Sequence, residues 1–262
     1  MRSAITPLML LSVALAVCAS AQDKPAMRPG AKPGLVELSP AAPSAEKEQK
    51  GARSELSTPG SAQRLSMLPP RYQSLLAEAM QRFQLRDFKG ATDYLDRADE
   101  VLPPTGRSLN VRGAIAIEQR DFERGRQYCS DALKLDPDYF PAKFNLCEIP
   151  FIEGKYAEAR GLWQKLFNSG KWGDFTSELL TYRIFLTYLL EKDFDHAKEW
   201  LEKIPFPSHT PAYQYGNAAW ARQKGDFAKW DEWIRSASYI WPEAKRSEFM
   251  DVLVHLGWMK WD

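Results

Sequence analysis

One short phrase returns five times in this chain of 262 residues, and it constrains the fold more than any single residue does. It reads Asp87-Phe88-Lys89-Gly90-Ala91, Asp121-Phe122-Glu123-Arg124-Gly125, Lys155-Tyr156-Ala157-Glu158-Ala159, Asp193-Phe194-Asp195-His196-Ala197 and Asp226-Phe227-Ala228-Lys229-Trp230. The aromatic residues stand at 88, 122, 156, 194 and 227, giving steps of 34, 34, 38 and 33. A period near 34 residues marks stacked helix-turn-helix units, each too small to bury its own apolar face. Stacking buries one face of each pair against the next and leaves a long curved surface for a partner. Such a surface binds and rarely catalyses.

Helical spacing is plain between the phrases. Tyr72, Leu75, Leu76, Ala79, Met80 and Phe83 recur at three- and four-residue steps ahead of the first one. Ala91, Tyr94, Leu95 and Ala98 follow it, and Pro103-Pro104 ends that helix. The next unit runs through Leu109, Gly113 and Ile117, then Phe122, Cys129, Ala132 and Leu133, closing at Pro137. Each part of the phrase has a mechanical reason. An Asp before the second helix accepts a hydrogen bond from a free backbone N–H and favours the positive helix end. The aromatic ring beside it plugs the corner between the helices, and Ala or Gly three residues later lets them approach. Pro103, Pro137 and Pro242 stop the second helices, because proline lacks the N–H that continuation needs.

These residues resemble the tetratricopeptide repeat family. Gly113, Leu146, Tyr188 and Ala218 match the packing positions of its first helix, and Ala91, Ala98, Ala132, Ala159, Ala197 and Ala237 those of its second. The resemblance covers about 70 to 242 and implies an all-α fold, a right-handed α-solenoid of about five repeats. Their bounds are about 70–104, 105–138, 139–172, 173–208 and 209–242, within a repeat region of 68–242. Phe88, Phe122, Pro137, Tyr156, Phe194, Phe227 and Pro242 complete the set of repeat-defining positions. Pro150 falls inside an expected first helix, where it predicts a kink or a shift in hydrogen bonding. Extra residues enter around Asn168 to Phe175, the segment Ile204-Pro205-Phe206-Pro207 is short, and Trp230 replaces a small residue, which predicts a spread helix pair. Residues 243–262 predict a C-terminal capping helix, with Phe249, Val252, Leu253 and Leu256 facing in and Glu243, Lys245, Arg246 and Glu248 facing out.

The first 21 residues read as a signal peptide: Arg2, an apolar stretch from Ile5 to Val17, then Ala19-Ser20-Ala21 at a cleavage site. The stretch is too short to span a bilayer comfortably. Leu15-Ala16-Val17-Cys18 resembles a lipoprotein box, but Val17 stands where that box takes a small residue. Cleavage after Ala21 is therefore expected, with a lipid on Cys18 as the alternative. Either route leads to the periplasm or cell envelope. Residues 22–67 are rich in Pro, Ala and Ser and contain no aromatic residue. They cannot bury enough apolar area to offset the entropy of ordering, and read as a disordered linker. Cys129 and Cys147 could meet across a repeat junction as a disulfide, or serve as two small buried hydrophobes.

No catalytic chemistry stands out. Lys and Arg number 35 against 34 Asp and Glu, so there is no bulk charge for nucleic acid. His196, His209 and His255 have no partner at metal-ligand spacing, and there is no Gly-rich phosphate loop or nucleophile elbow. No enzyme, cofactor or metal is expected. The resemblance implies instead that a protein or peptide partner lies on the concave face of the first helices. Asn110, Phe144, Asn145, Tyr182, Arg183, Tyr215 and Arg222 are the candidates there. Asn145 and Arg183 occupy corresponding points one repeat apart, which suits a grip on an extended backbone and a terminal carboxylate. Arg183→Glu is then expected to weaken partner capture and leave the fold intact. Leu76 and Met80 stand where the family's chaperone-tail clamp has Lys and Asn, so that specificity is not implied.

The expected function is a non-catalytic adaptor or scaffold of the bacterial cell envelope. One alternative is a component of an outer-membrane or pilus assembly machine, tethered to the membrane only through a lipid on Cys18. Another is a carbohydrate or cell-wall binder, since all nine Trp lie between 163 and 261. Trp172 and Trp261 are the two least needed for packing on that reading.

Overall fold

The computed structural model describes residues 68–170 and 172–260. The expected signal peptide (1–21), residues 22–67 and Trp261 lie outside the described residues. Eleven α-helices follow one another there, with no strand among the described residues. They are α1 (Pro70–Gln84), α2 (Phe88–Asp99), α3 (Gly106–Glu118), α4 (Phe122–Leu135), α5 (Phe140–Ile152) and α6 (Tyr156–Asn168). Then come α7 (Asp174–Leu190), α8 (Phe194–Glu202), α9 (Ala212–Gln223), α10 (Phe227–Ile240) and α11 (Glu243–His255). Each odd helix from α1 to α9 packs on the even helix after it, and pairs stack in chain order: an α-solenoid.

The repeated phrase builds every corner in the same way. Four of its five Asp or Lys positions are N-caps whose carboxylate accepts a backbone N–H three residues on. Asp87 takes Gly90, Asp121 Arg124, Asp193 His196 and Asp226 Lys229. Before each cap sits a residue in the left-handed region: Arg86, Arg120, Gly154, Lys192 and Gly225. There the first helix closes by paired bonds, as in Arg86 N–H to the Phe83 carbonyl and Asp87 N–H to the Arg82 carbonyl, both 2.9 Å. One residue thus ends the first helix, and its neighbour starts the second. At the first corner the aromatic of the phrase packs on the preceding helix, with Phe88 5.8 Å from Phe83, whereas Phe227 at the fifth is exposed.

Lys155 is the exception, since α6 has no side-chain cap. Lys155→Asp is expected to supply it and raise stability by about 1 kcal/mol, within the usual range for such caps. Its own ion pair to Glu153 is surface-exposed, so little is lost. A thermal midpoint no higher than that of the native chain would exclude this account of the corner.

Packing follows small residues at the expected places. A Cβ at Gly113 would fall 2.7 Å from Cys129 Sγ, and one at Gly125 2.7 Å from Ile117 Cγ1, so α3 and α4 touch through both glycines. Ala91, Ala98, Ala132, Ala159, Ala197 and Ala237 are all fully buried. Cys129 and Cys147 are both free thiols, and burial pushes the Cys129 thiol up to about 12. The Cys147 thiol donates instead to the Lys143 carbonyl at 3.2 Å.

Several expected irregularities take a definite form. α5 runs through Pro150 to Ile152, because that proline lies in the last turn and removes a single helix bond. The insertion before α7 is folded against its neighbours. Trp172 stacks 5.2 Å from Phe140 and its indole N–H donates to the Leu166 and Phe167 carbonyls. Trp172 is therefore a packing residue, contrary to the expectation above. α8 is short, at nine residues, and the extended segment after it is stapled to α7 by Glu178. That buried carboxylate accepts from Ser208 Oγ at 2.5 Å, from the His209 N–H at 3.2 Å and from the Thr210 hydroxyl. Trp230 does not splay its pair: it is buried edge-on to Trp258, 6.3 Å away, which comes from the chain beyond α11.

α11 departs most from expectation. Glu243 and Lys245 are exposed as a cap requires, but Glu248 is 2 % exposed, and every residue from Glu248 to Val254 is buried. The helix ends as the first helices do, with Gly257 left-handed and the Trp258 N–H bonded to the Leu253 carbonyl at 2.8 Å. It packs on α9 and α10 and also reaches α7 through Phe249, so it is more than a cover over the last pair.

Candidate functional site: the concave groove and its resident helix

Beyond its contacts with α9 and α10, α11 lies against α7, the first helix of the fourth pair. Phe249 of α11 meets Phe175 and Tyr182 of α7, each ring centre 5.7 Å away. Met250, Val252, Leu253 and Val254 join the same core cluster as α5, α7 and α9. Two groove side chains hold the backbone of α11 rather than its side chains. Tyr182 Oη donates to the Phe249 carbonyl at 3.2 Å, and Arg183 Nη2 donates to the Glu248 carbonyl at 3.4 Å.

The candidate residues are thus placed as follows. Asn110, Phe144, Asn145, Tyr182, Arg183 and Tyr215 are all buried, so they do not line an open face as expected. Asn145 Nδ2 donates to Asn110 Oδ1 at 2.9 Å, joining α3 to α5 inside the array. Phe144 packs on Trp163 at 6.1 Å and lies under the Arg183 guanidinium at 5.7 Å. Arg222 is half-buried, with its guanidinium 5.1 Å from Trp230 and 5.4 Å from Trp258. The grip on a backbone expected of Arg183 is present, but the backbone is this chain's own and is helical. Arg183 is also unfit for a harmless charge reversal, because it is 1 % exposed.

Around Arg183 lies a charged cluster that the sequence reading missed. Its Nε sits 3.0 Å from Glu148 Oε1, close enough for an ion pair though not aligned as a hydrogen bond. Glu248 and Asp251 of α11 complete the group, and none of the four is more than 2 % exposed. Burial pushes the Glu148 carboxyl above its usual range; Arg183 pulls against this and Asp251 adds to it. Glu248 is held well above its usual value by burial and then by Asp251. The signal was available: Glu148 and Asp251 each interrupt an apolar run, in Cys147-Glu148-Ile149 and Met250-Asp251-Val252.

Among the described residues no group of His, Cys, Asp and Glu is placed to hold a metal ion. No described helix is long and apolar enough to cross a membrane. His196 is a corner residue, stacked 5.2 Å from Tyr188 with Nδ1 2.8 Å from Asp193.

Fold and groove together define a class: a helical-repeat protein in which consecutive helix pairs wrap a concave surface. Neither the known protein families nor the curated proteins give a match to this chain. Among solved structures it is similar to the crystal structure of PilW, described as a widely conserved type IV pilus biogenesis factor. The match has a TM-score of 0.52 at 14% identity, over 73% of this chain and 88% of that one. At that identity the likeness is one of fold.

Proposed function

We propose that this chain is a non-catalytic protein-interaction scaffold of the tetratricopeptide type, acting in the bacterial cell envelope and binding a protein or peptide partner on its concave side. The observation that carries this reading is the pair of bonds from Tyr182 and Arg183 to main-chain carbonyls of α11. A groove that holds a helix by its backbone and an apolar face is suited to take a segment of similar shape. Balanced charge argues against nucleic acid as the partner.

Similarity to a pilus biogenesis factor supports a narrower second reading, a part in assembling a pilus or outer-membrane machine. A lipid on Cys18 would serve that role by tethering the array. The carbohydrate reading has less support, since Trp163, Trp172 and Trp230 are used in packing.

Photo-cross-linking from the exposed positions Ala77 and Tyr239, in the native envelope, tests both readings. A discrete captured protein is the expected result, and a pilus or outer-membrane assembly component favours the second. No protein captured from either position would overturn the scaffold reading.

A further inference from the structure

We propose that Pro40-Ala41-Ala42-Pro43 of this chain docks on an aromatic row, Phe206–Tyr213–Trp233, that the last helix pair leaves open to water. Phe206 is 75% exposed and stands between the exposed Pro205 and Pro207. Its ring centre is 4.8 Å from that of Tyr213 on α9, which lies 5.7 Å from that of Trp233 on α10. Ile240, two turns beyond Trp233, adds a further exposed apolar side chain. Apolar groups gathered at a surface in this way mark a place of contact. The row is also fixed in position. Bonds from Ser208, His209 and Thr210 to Glu178 hold the segment that carries Phe206 against α7. Among the described residues, neither the Tyr213 hydroxyl nor the Trp233 indole N–H has an acceptor.

Proline suits such a row. Its ring packs on aromatic faces, its preset φ lowers the entropy lost on docking, and a polyproline helix leaves its carbonyls free for donors such as these two. Among the prolines of residues 22–67, only Pro40 and Pro43 are three apart. That spacing puts both on one face of a polyproline helix, about 9 Å from each other. Phe206 and Trp233 are separated by no more than their two steps through Tyr213 combined, which brackets that distance. Reach is sufficient as well. Residues 44–69 span up to roughly 80 Å when extended, whereas α1 and α9 stand four pairs apart in the stack, at roughly 10 Å per pair. Attachment in the same chain raises the effective concentration of the segment at the row, so weak individual contacts suffice. Docked, it covers the row and draws the N-terminal part of the chain toward the last pair, whether or not the concave side holds a partner.

A photoreactive residue at position 42 of the full purified chain tests this docking. The expected product is a cross-link within one chain, to the peptide around Phe206 and Tyr213 or to the one around Trp233. Pro40→Ala combined with Pro43→Ala, and separately Phe206→Ala, should each lower its yield at least about fivefold, in line with the usual worth of an aromatic contact. Phe206 is mostly exposed, so its truncation leaves the array folded. Cross-links scattered over the array, or a yield that neither variant changes, overturn the proposal. A dimer-sized product joined at the row assigns the row to a second copy and overturns docking within the chain. Capture of another protein from position 206 in the native envelope, with no cross-link from position 42, assigns the row to a partner and overturns it too.

Discussion

Arg183→Glu is expected to expel α11 and lower stability by about 3–5 kcal/mol, the usual cost of breaking a buried ion pair. Arg183 is the cation 3.0 Å from Glu148, and it also donates to the Glu248 carbonyl. A fourth carboxylate there would leave Glu148, Glu248 and Asp251 without that cation at the seam. At roughly 2–4 °C per kcal/mol for a folded region of this size, the thermal midpoint should fall by on the order of 10 °C. Arg183→Met combined with Glu148→Met removes both charges and should recover much of the loss. A charge-reversed chain that melts with the native one would show that the cluster does not hold α11.

Phe249→Ala is expected to cost about 3–5 kcal/mol, as deletion of a fully buried aromatic usually does. Its ring is fully buried, 5.7 Å from the ring centres of both Phe175 and Tyr182. The loss should be local, since repeat arrays are held by nearest-neighbour contacts. Hydrogen exchange should therefore show α11 opening while α1–α4 keep their native protection. Equal loss of protection in α1–α4 would mean that the array and its last helix unfold as one unit.

Much of the fold was legible because the recurring phrase is local. Asp87, Asp121, Asp193 and Asp226 cap the helices they precede, and Gly113 and the buried alanines bring the paired helices together. The left-handed corners were less visible, since only Gly154 and Gly225 advertise them. Arg86, Arg120 and Lys192 adopt the same conformation without glycine's freedom. Their charged stems bring something in return: Arg86 pairs with Glu118 at 2.8 Å and lies 5.0 Å from the Phe88 ring centre.

The site was legible only in part. Tyr182 and Arg183 were expected to meet a partner from the inner side of the array, and in the structure they bond the main chain of α11. Their burial was not foreseen. The polar positions of 243–256 suit a solvated outer face, and Glu248 was assigned there on that ground. Whether such a helix meets water depends on how tightly the array curls, which is a sum of small rotations over all repeats.

The amino-acid order alone determined that this protein is a series of helix pairs, because each corner is written in a handful of adjacent residues. Tertiary structure decided where the last helix rests. Packing sets it against α7, α9 and α10. The same packing joins Glu148, Arg183, Glu248 and Asp251, residues up to 103 positions apart, in a cluster that no local pattern could announce.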